Sequence, residues 1–486
     1  MRSLPVNRSL LPLSLVAASA LAGCVVGPNF QRPAPPAVGS YAPPAPAAPE
    51  SAAADIQRIV PGMDVPARWW TLFRSPALNA LVDQALANNP DAASAEAALR
   101  QARELLYAQR GAYLPTVSLD PNVTRARTSA VLAPIPSSNA SLYTLYTAQV
   151  SVSYAPDVFG GVRRQVEAAA ARAESQQFQT QAIYLTLTAN VVQAALQEAS
   201  LREQVQATTE IVAEEQKLLD LLQQQHAAGQ ISGADVAAQQ TALAQAEQSL
   251  PPLQKQLAQA RDLLATLGGR FPADGPAGTI EIPALQLPLE VPVGLPSTLV
   301  ERRPDIRAAE ANLHAASAQV GVAVAARLPN ITLSANGGSM ADTLSGLASG
   351  PNAFWTLAGG LTQPIFDGGA LRHQQKAAEA AYDQARDQYR STVLQAFQNV
   401  ADTLQALQID DGALRASQRA AAAADRNLAI ARRQVQLGET SALSVLNAEQ
   451  AFHQASIALI QAETARYTDT VALFQALGAG VYRSTS

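Results

Sequence analysis

One cysteine in 486 residues rules out an internal disulfide framework. Charged residues make up 15% of the chain and aromatic residues 5%, and no basic stripe interrupts a net charge of −5. Nucleic acid is therefore not an expected partner. The four histidines, His226, His314, His373 and His453, are scattered without metal-ligand spacing. No glycine-rich phosphate loop follows a strand, and Gly359-Gly360 and Gly368-Gly369 read as strand and turn punctuation. No enzymatic constellation, cofactor or metal is expected from these residues. The chain is rich in alanine, leucine and glutamine, all good helix formers, so it should be mostly helical.

The N-terminus reads as an export signal. Arg2 and Arg8 precede an apolar run from Leu10 to Ala22, too short and too interrupted by Pro12 and Ser14 to remain as a spanning helix. Leu21-Ala22-Gly23-Cys24 then resembles a bacterial lipobox, which makes Cys24 the lipidated first residue of the mature chain. Val25, in place of an aspartate that would favour inner-membrane retention, fits an outer-membrane destination. Residues 1–23 are thus a signal peptide. Residues 24–68 form a Pro/Ala-rich arm of polyproline character.

The remainder repeats itself. "NNPDAASAEAALRQARELLYAQRGAYLPTVSL" from Asn88 parallels "RRPDIRAAEANLHAASAQVGVAVAARLPNITL" from Arg302. Pro90 and Pro115 match Pro304 and Pro329, each at a shift of 214. Pro156, Gly160 and Gly161 match Pro364, Gly368 and Gly369 at 208; Gly229 matches Gly438 at 209; Leu267-Gly268 matches Leu477-Gly478 at 210. An internal duplication explains the near-constant offset. It divides the chain into a first repeat (69–270), a Pro-rich linker (271–295), a second repeat (296–478) and a tail (479–486).

Each copy has one order of elements. A helix (76–111; 296–327) ends before Leu-Pro, two strands follow, then a very long helix (162–226; 370–437), a glycine turn and a shorter helix (233–268; 441–477). The strands alternate. Val117, Leu119 and Val123 oppose Thr116, Ser118 and Thr124, and Ala148, Val150, Val152 and Tyr154 oppose Gln149, Ser151 and Ser153. In the second copy Ile331, Leu333 and Ala335 oppose Thr332, Ser334 and Asn336, and Trp355, Leu357, Leu361 and Ile365 oppose Thr356 and Thr362. Such patterning suits a sandwich or a transmembrane barrel with a wet lumen. Four strands cannot close around water, so a barrel would need several chains.

In the long helices Val393, Phe397, Val400, Leu404 and Leu407 step by four and three. Leu201, Val205, Thr208, Val212, Glu215, Leu219 and Leu222 do likewise, with two polar interruptions. At about 1.5 Å per residue such helices span roughly 100 Å. The two shorter helices of a copy, end to end, match one long helix.

The segments "CVVGPNFQRP", "WWTLFRSPALNALVDQALANNPD", "PIFDGGALR" and "QLGETSALSVLNAEQ", with both Leu-Pro helix ends, complete a pattern covering nearly all of the mature chain. It resembles the TolC-like outer-membrane efflux channels, in particular their lipidated OprM/NodT-type branch. The resemblance implies a mainly α fold with a transmembrane β part. A homotrimer would carry a twelve-stranded outer-membrane barrel, four strands per chain, above a periplasmic α-helical barrel, with the linker in an equatorial belt. It further implies a passive exit duct for drugs or other small toxic compounds, docked to a periplasmic adaptor and an inner-membrane efflux pump. The outer-membrane exit of a type I protein secretion system shares this fold and stays an alternative. A periplasmic adaptor or structural lipoprotein is a more distant one, disfavoured by two copies of paired strands.

On that resemblance the duct closes where the helices turn at Gly229 and Gly438. Asp425, Arg432 and Arg433 precede the second turn. They read either as a salt-bridge lock between neighbouring helices, Asp425 to Arg432 or Arg433, or as solvated outer-face charges. Gly229, Ser232, Ala234, Gly438, Thr440, Ser441, Leu443 and Val445 are the expected adaptor-docking tips. Trp355 and Tyr143 or Tyr146 read as interfacial girdle aromatics or as packing at strand ends.

Overall fold

The computed structural model describes residues 25–41, 57–63, 65–127, 142–294, 296–437, 439–440 and 442–479. Cys24, Gly438 and Ser441 lie outside the described residues. Among the described residues are six strands and eight α-helices, and the helix–strand–strand–helix–helix order recurs in both copies. They are β1 (Arg58–Pro61), α1 (Pro76–Asn88), α2 (Pro90–Arg110), β2 (Thr116–Arg127), β3 (Leu142–Tyr154), α3 (Gly161–Ala227) and α4 (Gly233–Leu267). After the linker come β4 (Glu290–Val293), α5 (Pro296–Arg302), α6 (Pro304–Ala325), β5 (Asn330–Ala341), β6 (Ala353–Thr362), α7 (Ala370–Gln436) and α8 (Ala442–Ala476). No described helix is long and apolar enough to cross a membrane.

The chain divides into two compact units. One holds Met1–Arg32, Arg100–Gln176 and Ala309–Tyr389. Its centre is a four-stranded antiparallel sheet of order β2-β3-β5-β6. The register carries the alternation of single strands into whole rows. Val117 pairs with Val152, Val152 with Ala335, and Ala335 with Leu357, all on one face. Ser118, Ser151, Asn336 and Thr356 form the next row on the other face. One face is therefore apolar and one polar across all four strands, and the apolar side chains Leu119, Leu357 and Leu361 are exposed in the single chain. β6 ends at Thr362, so Ile365 lies beyond the strand on which its alternation placed it.

The same unit clasps the start of the arm. Val26 N donates to Phe159 O at 3.2 Å. The buried Arg164 guanidinium donates to Val26 O, Gly27 O and Asn29 Oδ1. Phe30 stacks on His314 with centroids 4.3 Å apart, and Arg32 meets Glu310 at 2.9 Å. Gly27 adopts φ +90°, and a Cβ there would fall 2.4 Å from Gly321 Cα. Backbone packs on backbone at a distance only glycine permits.

The other unit holds Pro33–Leu99, Gln177–Ala308 and Arg390–Ser486. Trp69, Trp70, Phe73, Tyr467 and Phe474 form an aromatic nest, with Trp69, Phe73 and Phe474 almost wholly buried. The heptad positions face inward: Val393, Val400 and Leu407 are buried, and so are Leu201, Leu219 and Leu222. β1 pairs in parallel with β4, a sheet that the sequence patterning does not announce.

Two helices expected to be continuous are broken, each just before a proline. Asn89 separates α1 from α2. Its Oδ1 accepts from Asp91 N and Ala92 N, and its Nδ2 donates to Leu267 O at 3.0 Å. Arg303 separates α5 from α6 and donates to Ala476 O at 2.9 Å and Ala396 O at 3.2 Å. Each break satisfies a carbonyl at the end of another helix, which would otherwise lack a partner. The proline disfavours helical backbone at the preceding residue. The copies also align differently at their final turns. Gly269 and Gly478 carry the positive φ (+72° and +71°), whereas Gly268 does not. Arg270 N to Ala265 O repeats as Ala479 N to Phe474 O, so the structural offset is 209 and Gly269, not Gly268, corresponds to Gly478.

Candidate functional site

The two glycine turns and the charges above them lie in the second unit. At the first turn Gly229 takes φ +71° with open space around it. Gly229 N donates to His226 O at 2.8 Å and Gln230 N to Gln225 O at 2.9 Å, a left-handed helix stop. Ser232 then caps α4. Its Oγ accepts from Asp235 N, and Asp235 Oδ2 accepts from Ser232 N at 3.0 Å. These bonds from Ser232 hold the Asp235 carboxyl below its usual range.

The second turn repeats the first. Leu437 N donates to Arg433 O, and Glu439 N to Gln434 O at 2.9 Å, the counterpart of the Gln230–Gln225 bond. Thr440 and Ser444 share a hydroxyl hydrogen bond at 2.7 Å. Of the tip residues, Gly229, Ser232 and Ala234 are exposed and Thr440 is half-buried. Leu443 is 50% exposed. Val445 differs: it is 5% exposed and packs with Leu428, Ala431 and Ala448, so it belongs to the hairpin core and not to a docking surface.

Above this core Arg432 joins three helices. Its Nη2 lies 2.5 Å from Glu214 Oε2 on α3 and 3.0 Å from Glu449 Oε1 on α8. Arg432 bridges helices as a salt bridge, but to Glu214 and Glu449 and not to Asp425, so the expected Asp425 pairing is not formed. Asp425 is exposed, and no ion pair to it is found among the described residues. Arg433 is exposed and reaches only Gln436 on its own helix, at 3.5 Å. Burial raises the Glu449 carboxyl, and Arg432 offsets this only in part because Glu215 adds to the rise. Burial works against the charge on Arg432, but its bonds to Glu214 and Glu449 keep its pKa above the usual value.

Sequence reasoning missed Glu214, Glu449, Glu215 and His453. Glu215 is 2% exposed. Its backbone oxygen accepts from Gln239 Nε2 at 3.0 Å, its Oε2 accepts from the same group, and its Oε1 lies 3.7 Å from His453 Nε2. A signal was present: Glu215 is the one charged residue in a heptad series otherwise filled by apolar residues and Thr208. Among the described residues no cluster of three or more His, Cys, Asp or Glu could hold a metal.

The sheet, the paired turns and the duplicated helices have counterparts in known proteins. The sequence profile of the family described as outer membrane efflux protein matches residues 81–270 and 295–479. The chain belongs to that family. The chain is 32% identical over 484 residues to the pyoverdine export outer membrane protein OpmQ of Pseudomonas putida, covering 98% of each sequence. The outer-membrane channel OprN has a similar structure (TM-score 0.83, 28% identity, 94% of this chain and all of that one). So has the open state of the Neisseria gonorrhoeae MtrE outer membrane channel (TM-score 0.81, 26% identity, 95% and 100%). The protein is an outer-membrane efflux channel of the TolC-like fold, an exit duct of tripartite efflux pumps with a long periplasmic helical part.

Proposed function

We propose that this channel assembles as a homotrimer and passively exports small toxic compounds, drugs among them. A periplasmic adaptor and an inner-membrane pump would energise it. The observation that carries the reading is the four-stranded sheet with one apolar and one polar face and unpaired edges at β2 and β6. Open edges are not tolerated in lipid, so β6 of one chain pairs with β2 of the next until a barrel closes. The apolar rows then face lipid and the polar rows line the duct.

The Arg432 bridge acts as the periplasmic lock. It ties α7 and α8 to α3, so dilation of the tips must separate Arg432 from Glu214. Adaptor binding biases that equilibrium through the exposed turn residues Gly229, Ser232 and Leu443 and the half-buried Thr440, together with Gly438 and Ser441. Cys24 carries the lipid, and the clasped segment from Val25 to Arg32 fixes where that lipid emerges.

The test is genetic and biochemical. Deleting the gene should sensitise cells to several unrelated compounds, the wild-type gene should restore resistance, and outer-membrane fractions should contain a heat-labile trimer. A monomer confined to the inner membrane would overturn the reading.

A further inference from the structure

A cavity of about 510 Å³ opens between α3, α4 and α8, and its wall includes Glu215 and Gln450, the chain neighbours of Glu214 and Glu449 in the Arg432 bridge. Its wall combines apolar Ile211 and Ile457 with Gln245, Gln461, Glu215 and His453. This volume and mixture suit a small organic ligand. Pro251 and Pro252 stand inside α4 just past the cavity wall and remove two helical hydrogen-bond donors, which favours a kink.

The charges in the wall are incompletely matched. Glu215 keeps Gln239 on one carboxylate oxygen, while the other is beyond hydrogen-bond distance of His453. Neither ring nitrogen of His453 has a hydrogen-bond partner in the structure. Glu214 and Glu449 already share Arg432, so no described cation is left for Glu215 apart from a protonated His453. A buried carboxylate without a counter-charge is costly. A cation in the cavity would supply one, with its apolar body against Ile211 and Ile457.

We propose that this cavity is a binding site for small organic cations, an amine or amidine on an apolar body. The cationic head pairs with Glu215 and donates to His453. The site goes beyond the duct function and does not rest on it, because binding is measured directly.

The experiment is calorimetric titration of the full-length, detergent-solubilised protein with benzamidine, and with the neutral isostere benzamide as control. The expected result is saturable benzamidine binding at one site per chain and none for benzamide. Glu215→Gln should weaken it by about tenfold or more, the loss expected for one charge-assisted pair. Ala246→Trp, which fills the cavity without touching a charge, should abolish binding while the oligomer elutes unchanged. Equal binding by Glu215→Gln, or undiminished binding by Ala246→Trp, would place the ligand elsewhere and overturn the proposal. So would absence of saturable binding to the wild type, the outcome expected if His453 is itself the counter-ion or a neighbouring chain fills the gap.

Discussion

Arg432 Nη2 and Glu214 Oε2 stand 2.5 Å apart although 218 positions separate them in the chain. The bond spans the duplication, joining the long helix of one copy to that of the other. Both side chains are close to half exposed, so the bond contributes little to stability, about 0.2–1 kcal/mol. On the proposed lock, its effect lies in which arrangement of the tips it favours. Glu214→Gln should raise the open probability or conductance in planar bilayers with little change in melting temperature. Unchanged conductance would remove Glu214 from the lock.

Arg432→Ala should cost more than Glu214→Gln. Glu449 is only 4% exposed at its side chain and would lose its cation in the interior. Removing one partner of a fully buried pair costs about 3 kcal/mol or more, and the cost here is smaller because Arg432 itself is 43% exposed. Thermal melts of the two variants side by side should rank them in that order, and Arg432→Lys should recover only part of the difference, because a lysine ammonium would have to reach both acids, which Nη2 alone now meets, on a shorter stem.

Stability should depend on pH through Asp469. Burial, reinforced by the adjacent Asp410 carboxylate, pushes Asp469 up to about 7 from an ordinary 3.8. A carboxyl raised on folding favours the folded state while protonated. Its contribution is complete below about pH 4 and is lost as pH rises through about 7. Melting temperature should therefore fall across that window, and Asp469→Asn should flatten the slope. A slope unchanged by the substitution would assign it to other groups.

Two glycines of positive φ should respond differently to alanine. Gly229 has open space around it, so only the left-handed backbone is penalised, by about 1–2 kcal/mol. At Gly27 the new methyl would meet the Gly321 backbone, so the clasp must open. Gly27→Ala should make the segment around Val25–Arg32 accessible to protease, whereas Gly229→Ala should leave it protected.

Charge on the two faces of the sheet should be read oppositely. Leu357→Arg would place a guanidinium in lipid, at about 2–4 kcal/mol near the midplane, and should reduce trimer yield. Ser334→Arg on the polar face should assemble normally and shift ion selectivity toward anions.

Most of the helical pattern was legible because heptad spacing persists over tens of residues, and the strand faces were legible because alternation has a period of two. The breaks at Asn89 and Arg303 were not. Each depends on a carbonyl at the end of a distant helix, Leu267 O or Ala476 O, and no local pattern reports that acceptor. The β1–β4 pair joins segments more than two hundred residues apart and four residues long, too short for periodicity to register. At the tips, Arg432 stood out as a charge beside the turn, but its acids belong to α3 and α8. Asp425 was nearer in sequence, but at seven residues' separation it stands two turns, about 10 Å, along the same helix from Arg432.

The sheet edges at β2 and β6 carry a genetic consequence. A chain whose barrel strands can be satisfied only by its neighbours has no private folded state in the bilayer. Its assembly must respond to how many sister chains are present and how sound they are. A variant that damages one edge but keeps the other would still recruit normal chains and leave them in a ring that cannot close. Such an allele would act as a poison toward the wild-type gene, where an ordinary loss-of-function allele would be silent.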